Sequence, residues 1–158
     1  MAKAQKIRGL ESETPFHLAT ARIIEARFDE MMRHRVGTLL GRDPEELHDM
    51  RVASRRLRAV MDVSADCFPK QYRYFHQTVK QLTDALGGVR DCDVMREALM
   101  TYRDQRPAAE RPAINRLLQT LKTERDVRRL EMLAFFQRLD DERFDVRFRG
   151  FLAEHSHG

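Results

Sequence analysis

The chain of 158 residues is long enough for one domain with a substantial buried core. Hydrophobic residues make up 42% and charged residues 34%, which excludes both a disordered chain and a membrane-spanning one. The formal net charge is only +4, but 24 of the 29 basic residues are arginines. Arginine binds phosphate and carboxylate bidentately. A coding bias toward arginine is the alternative explanation of the high arginine count.

The chemistry-bearing residues outside the arginines form few recognisable patterns. Cys67 and Cys92 make no C-x-x-C motif, and together with the lack of a predicted secretory signal they indicate a reduced, cytoplasmic chain. The six histidines form neither an H-x-x-x-H nor an H-E-x-x-H pair, and His155 and His157 belong to a short tail. We therefore expect no metal site and no cofactor.

Helical periodicity interrupted by short breaks predicts an all-α fold, an antiparallel helical bundle of about five to six helices. The predicted helices cover about 15–37, 44–67, 70–86, 92–105, 112–139 and 142–154. The bundle as a whole is predicted over about 15–154, between a disordered N-terminal tail, 1–14, and a short tail, 155–158.

Capping and glycine signals set these boundaries. Thr14 is predicted to cap the first helix, with Pro15 at its first position, and Gly37 and Gly41 are predicted to end it. The second helix is predicted to begin with a capping box, whose members are Asp43 and Glu46. The third helix is predicted to stop at the glycine pair Gly87-Gly88. The fourth helix is predicted to start at an aspartate cap, either Asp91 or Asp93.

One face of the second predicted helix carries a row of basic side chains. When the helix positions are stepped at about 100° per residue, four basic residues fall within an arc of about 80°: His48, Arg51, Arg55 and Arg58. Arg56 lies at the margin of this row. The opposite side is apolar and consists of Met50, Ala53, Leu57, Val60 and Met61. No acidic residue lies between Arg51 and Arg58, so these charges have no local partner. The row is about 15 Å long and suits a row of anions; a solvated helix face is the alternative.

The fifth predicted helix has an apolar stripe that two arginines interrupt. The apolar members are Ile114, Leu117, Leu121, Met132 and Phe135. Arg125 and Arg128 fall on the same stripe, and because desolvating a guanidinium is costly, each needs a partner. That partner is either an acidic side chain inside the bundle or an external anion in a basic cavity between helices.

Two further basic residues lie near the same space. Lys80 flanks the core stripe of the third predicted helix and is predicted to point toward the basic cavity. Arg90 lies beside the predicted start of the fourth helix, where backbone donors attract anions, and an ion pair with an acidic residue is the alternative.

Two motifs resemble those of the conserved-histidine α-helical domain (CHAD) family. The first is His48-x-x-Arg51-Val52-Ala53-x-Arg55-Arg56-Leu57-Arg58, which Asp43-Pro44-Glu45-Glu46-Leu47 precedes. The second is Leu86-Gly87-Gly88-Val89-Arg90-Asp91-x-Asp93-Val94. They stand in the family's order with a predicted helix between them, and the resemblance covers roughly residues 15–154.

The resemblance implies a helical bundle with a basic pore or groove that binds inorganic polyphosphate, in some members at polyphosphate or storage granules. By motif match it nominates as ligand residues His48, Arg51, Arg55, Arg56, Arg58 and Arg90. Helix geometry adds Lys80, Arg125 and Arg128. His48 either binds the polyanion or is a buried residue that orients a neighbour by a hydrogen bond.

The family usually has two related bundles in tandem, whereas this sequence contains one copy of the motif. Either the single bundle acts alone or two chains pair, and we favour a homodimer because it doubles the basic surface.

We expect binding without catalysis, and three alternatives stay open. Nucleic-acid binding is disfavoured because Trp is absent and Phe and Tyr fall mostly on core stripes, which leaves no stacking platform. A phosphate-processing enzyme, or an accessory to a triphosphatase, needs grouped carboxylates for Mg²⁺. Asp91 and Asp93 form the only tight acidic pair near a basic motif. A helical interaction module is the third alternative.

Overall fold

The computed structural model describes residues 3–156. They form six α-helices, which are α1 (Phe16–Arg33), α2 (Arg35–Leu40), α3 (Pro44–Val63), α4 (Tyr72–Asp104), α5 (Arg111–Asp141) and α6 (Phe144–Ser156). A 3₁₀ turn, Ala65–Cys67, follows α3 and replaces the last turn of the predicted second helix. No strand occurs in residues 3–156, which confirms the predicted all-α fold. His157 and the end of the predicted tail lie outside the described residues.

The long helices α4 and α5 run antiparallel along each other. Near the middle of α4, Asp93 pairs with Arg125, and nearer its start Gln81 accepts a hydrogen bond from Arg138. Residue numbers therefore rise along α4 as they fall along the facing side of α5, as expected for two helices joined by a short connection.

The core lies where α1, α3, α4 and α6 meet, with one end of α5 against it. The largest fully buried side chains include Ile24, Phe28, Met31, Met50, Leu57, Met61, Leu82, Leu86, Met132, Phe148 and Leu152. Phe28 and Phe148 pack edge to face with ring centroids 5.0 Å apart. The predicted apolar face of α3 is confirmed, since all of its members are buried except Val60, which packs against the core from a half-buried position.

The first predicted helix is interrupted, which corrects its single range of about 15–37. The chain turns at His34, between α1 and α2, and the imidazole Nδ1 lies 2.9 Å from Glu46 Oε2 on α3. Gly37 lies inside α2 rather than at a helix end, whereas Gly41 ends α2 with a left-handed φ of 66°. The pairing of His34 with α3 thus accompanies a turn that helical periodicity alone did not reveal.

The caps were partly predicted. Asp43 caps α3 as expected, because its carboxylate accepts a hydrogen bond from the Glu45 backbone N–H at 2.9 Å. Glu46 does not complete a capping box, since its carboxylate binds His34 instead. At the start of α1, Pro15 itself occupies the capping position, and the Thr14 hydroxyl accepts a hydrogen bond from the Glu11 backbone N–H.

The predicted helix end at Gly87 and Gly88 is wrong, because α4 passes through both residues without a break. Asp91 and Asp93 therefore lie within α4 and cap nothing, and Arg90 lies more than four turns from the start of α4. A glycine inside a helix costs about 1 kcal/mol relative to alanine. Packing of α4 against both α3 and α5 outweighs this local cost.

The far halves of α4 and α5 form a two-helix hairpin outside the core. Between Val94 and Glu131 no residue is buried, and Leu117, predicted to be part of an apolar stripe facing the core, is 50% exposed. The accessible surface is 9787 Å², against about 8,200 Å² for a compact monomer of this size. Of the predicted α5 stripe only Met132 is buried, because its N-terminal half has only α4 to pack on.

Residues 3–14 contain no helix and contact α1. The Gln5 backbone N–H donates to Glu30, and Arg22 donates to the Gly9 carbonyl oxygen at 2.7 Å. The predicted disorder of the N-terminal tail stays a prediction. Within the described part of the chain, no helix combines the length and apolarity needed to cross a membrane.

Candidate anion-binding cleft

A cleft of about 790 Å³ opens between α3 and α4, and α5 closes one side of it. Its lining consists of Arg51, Arg55, Arg58, Ala59, Asp62, Thr83, Asp84, Gly87, Gly88, Asp91 and Arg128. Four arginines from two helices that are far apart in sequence thus face one space. We call this space the arginine cleft.

The basic face of α3 forms one wall of the arginine cleft. Arg51, Arg55 and Arg58 follow one another at spacings of four and three residues, which places them on the same side of the helix. The opposite side of α3 is buried in the core. The amphipathic division predicted from the sequence is therefore what directs these three guanidinium groups into the cleft.

Two glycines of α4 form the floor of the cleft. A Cβ atom on Gly87 would lie 3.4 Å from Arg51 Nε, and one on Gly88 would lie 3.5 Å from Arg128 Cδ. The missing side chains let the two arginines from opposite walls lie against the α4 backbone. The glycine pair therefore shapes the cleft and, contrary to the sequence prediction, does not end a helix.

Aspartates from α3 and α4 face the arginines across the cleft. Arg51 Nη2 lies 3.7 Å from Asp91 Oδ1, and Arg58 Nη1 lies 3.5 Å from Asp84 Oδ1. These distances are longer than hydrogen bonds, and both carboxylates are mostly exposed. The row, predicted to have no local partner, thus has acidic partners in the folded chain: Asp84 and Asp91 on α4, and Asp62 on α3 itself, 4.0 Å from Arg58.

The acidic positions could have been found in the sequence. Asp84, Gly87, Gly88 and Asp91 follow the spacing of one helix face, i, i+3, i+4 and i+7. The pattern was missed because the glycine pair predicted a helix end, and a break there separates the two aspartates.

Asp62 marks the end of the arginine cleft nearest the start of α4. Its Oδ1 lies 2.6 Å from His76 Nε2 and 3.6 Å from Lys80 Nζ, and its Oδ2 lies 4.0 Å from Arg58 Nε. Burial alone raises the pKa of Asp62, but the His76 hydrogen bond and the charges of His76, Lys80 and Arg58 outweigh it and hold that pKa below its usual value. Lys80 thus lies beside the cleft, held by Asp62, and is not part of its lining.

Arg125 and Arg128, predicted to share one basic space, lie in different environments. Arg128 lines the arginine cleft and also pairs with Glu124 at 2.8 Å. Arg125 Nε donates to Asp93 Oδ1 at 2.5 Å, and this aspartate is only 9% exposed. For Arg125 the structure therefore shows the acidic partner that was one of the two alternatives. Its role as a ligand residue stays a prediction.

His48, Arg56 and Arg90 are half-buried and do not line the arginine cleft. Each has one nitrogen that is buried without a hydrogen-bond partner among the described residues: His48 Nδ1, Arg56 Nη1 and Arg90 Nη1. Their roles as ligand residues, including the choice between binding and orienting for His48, stay predictions.

Three potential metal ligands lie together at the start of α3. Side-chain ligand atoms of Glu45, His48 and Asp49 lie within 4.8 Å of one another. The sequence search for paired histidines could not find this group because it contains only one. Exposed acidic groups commonly cluster without a metal, and we assign no ion to them.

The fold and the cleft together define an all-helical protein with a basic cleft between two of its helices. A family model described as CHAD domain matches residues 22–158, nearly the whole chain, and the chain therefore belongs to this family. Comparisons with the curated proteins and with the solved structures found no match.

Proposed function

We propose that the chain binds inorganic polyphosphate in the arginine cleft and does not transform it. The observation that carries this proposal is the convergence of Arg51, Arg55, Arg58 and Arg128 on one open cleft. Membership of the CHAD family is consistent with it. Arginine forms bidentate, charge-assisted hydrogen bonds to phosphate oxygens, and a linear polyphosphate supplies such oxygens at regular intervals.

The aspartates of the cleft do not prevent this binding. Their pairs with Arg51 and Arg58 are long and exposed, and such pairs contribute only about 0–1 kcal/mol each. Arg55 has no ion pair among the described residues and is exposed. A polyanion contacts several arginines in series and releases condensed counterions when it binds. It therefore contributes more favourable free energy of interaction with the arginines than the isolated carboxylates do.

Two features of the cleft favour polyphosphate over the alternatives. Of the described residues that line it, none is aromatic, so nucleic-acid bases would find no surface on which to stack. Asp84 and Asp91 each lie opposite an arginine on α3, an arrangement that suits charge balance better than Mg²⁺ binding.

The proposal is tested by titrating the protein with long-chain polyphosphate and with single-stranded DNA of equal charge at several salt concentrations. We expect tighter binding of polyphosphate and a steep loss of affinity with salt. The double variant Arg55→Ala/Arg58→Ala should lose at least about tenfold in affinity, since two charge-assisted contacts disappear.

A matched control separates the cleft from general charge. Arg42→Ala/Arg116→Ala removes the same charge from two exposed arginines outside the cleft and should leave affinity within about twofold. Equal losses in both double variants, or equally tight DNA binding, would contradict the proposal. Release of phosphate from polyphosphate in the presence of Mg²⁺ would show an enzyme instead.

A further inference from the structure

A second basic cavity lies just beyond the end of the arginine cleft. It has a volume of about 330 Å³ and lies at the corner between the end of α3 and the start of α4. Its lining consists of Ala65, Asp66, Phe68, Pro69, Lys70, Tyr72, Arg73 and His76. Three of these side chains are basic or can become so, against one carboxylate. We call it the corner cavity.

Asp62 separates the corner cavity from the arginine cleft. Its carboxylate lines the cleft, yet it lies 2.6 Å from His76 Nε2, and His76 lines the corner cavity. The two cavities therefore share a boundary made of one aspartate and one histidine. Lys80, 3.6 Å from the same carboxylate, stands at this boundary as well.

The histidine side of this boundary is held in place. The His76 ring stacks on Tyr72 with centroids 5.7 Å apart and planes inclined by 29°. Tyr72 is buried, and its hydroxyl donates to the Met61 carbonyl oxygen at 2.9 Å. Asp62, in contrast, is about half exposed with a side-chain accessibility of 47%, so its carboxylate is the member of the pair that is free to move aside.

We propose that the corner cavity is a distal subsite of the polyphosphate site, reached only by chains long enough to extend past Asp62. This inference rests on the proposed function of the arginine cleft. In it, a phosphate group replaces the Asp62 carboxylate beside His76 and Lys80, and the chain continues to Lys70 and Arg73. When no polyanion is bound, Asp62 contacts His76 and Lys80, and its negative charge opposes the passage of the chain.

The subsite makes affinity depend on chain length. Tripolyphosphate fills only the arginine cleft, whereas a size-fractionated long chain fills both cavities. Lys70→Ala/Arg73→Ala should therefore weaken long-chain binding about tenfold and lower its salt dependence, while tripolyphosphate binding changes by less than about twofold. Lys70 and Arg73 are exposed, so the variant is expected to fold.

The control variant removes one lysine and one arginine elsewhere. Arg116→Ala/Lys122→Ala changes two exposed residues of α5 that line neither cavity, and it should leave both ligands unaffected. If the control and the Lys70→Ala/Arg73→Ala variant lose long-chain affinity equally, the distal subsite does not exist, although the arginine cleft can still bind polyphosphate. If neither ligand binds the wild-type protein, the proposed function itself fails.

Asp62 provides an opposite test of the same subsite. Asp62→Asn keeps the size of the side chain but removes a negative charge that lines the cleft and also opposes passage into the corner cavity. Both ligands should therefore bind more tightly, but the gain for the long chain should be at least about threefold larger than the gain for tripolyphosphate. Equal gains for both ligands would overturn the boundary role of Asp62. The His76 ring signal in NMR spectra, assigned with His76→Gln, should shift with the long chain and stay in place with tripolyphosphate; a shift with both would also overturn it.

Discussion

Neighbouring arginines on α5 differ in what they contact. Arg125 is paired with the buried carboxylate of Asp93, Arg128 lines the arginine cleft, and Arg129 donates to the carbonyl oxygens of Thr38 and Leu39 at the end of α2. Their side chains leave the helix in different directions, so each meets a different neighbouring element. A position on the helix surface therefore does not by itself assign an arginine to ligand binding.

The pairing of Arg125 predicts a structural effect. Arg125→Met leaves the Asp93 carboxylate buried without its cation, so we expect the free energy of unfolding to fall by about 3 kcal/mol. Urea denaturation at neutral pH measures this loss.

Polyphosphate titration of folded Arg125→Met distinguishes the two roles of this residue. The structural role predicts affinity within about twofold of the wild type. Arg125→Met/Asp93→Leu, which removes both charges, should recover part of the lost stability. A large loss of affinity in the folded variant would instead make Arg125 a ligand residue.

In helix α4, the intrinsic propensity of the local sequence and the tertiary packing favour different structures. The glycine pair favours a helix end on propensity alone, yet α4 continues through it for another four turns. The two missing side chains leave space for arginines from α3 and α5 to lie against the helix. Intrinsic propensity is thus overridden where packing on both sides supports the helix.

Gly88→Ala tests this conflict. Alanine gains about 0.5–1 kcal/mol over glycine within a helix, and a Cβ there meets Arg128 Cδ at 3.5 Å without a clash. We therefore expect higher stability in thermal or urea unfolding, together with weaker polyphosphate binding because the methyl group enters the floor of the cleft.

Gly150→Ala is the matched control. Gly150 also lies within a helix, α6, and nothing is found within 4 Å of the added Cβ. It should gain similar stability with unchanged affinity. If Gly88→Ala binds polyphosphate as tightly as Gly150→Ala, the glycine floor has no part in the site.

At the scale of the whole molecule, the hairpin of α4 and α5 carries exposed apolar side chains beyond the core. Its exposed apolar side chains include Val94, Met95, Met100, Tyr102, Leu117 and Val127. Single exposed apolar residues are common on protein surfaces. Here, however, they lie in a segment, between Val94 and Glu131, in which no residue is buried. The predicted homodimer, which stays a prediction, would find its contact surface most readily on this hairpin.

Leu117→Glu tests the hairpin as the dimer contact. If the chain is a homodimer through this surface, multi-angle light scattering should give a dimer mass for the wild type and a monomer mass for the variant. Gln119→Glu introduces the same charge at an exposed polar position on α5 and should leave the mass unchanged. A wild-type monomer throughout the micromolar range would contradict the homodimer.

The sequence by itself determined the all-α class, the apolar face of α3 and the row of arginines opposite that face. These features depend on the identity and spacing of residues within one helix, and the physics of a helix face is local. The family motifs were also readable directly, because their residues lie in two short segments.

Only the tertiary structure decided the continuity of α4, the pairing of Arg125 with Asp93 and the placement of α4 aspartates opposite Arg51 and Arg58. Each of these depends on which helix packs against which and in what register, and the partners are up to 40 positions apart in the chain. Helical periodicity gives the direction of a side chain relative to its own helix. It does not give the charge on the neighbouring helix, and that charge determines whether an arginine is paired within the protein or available to a ligand.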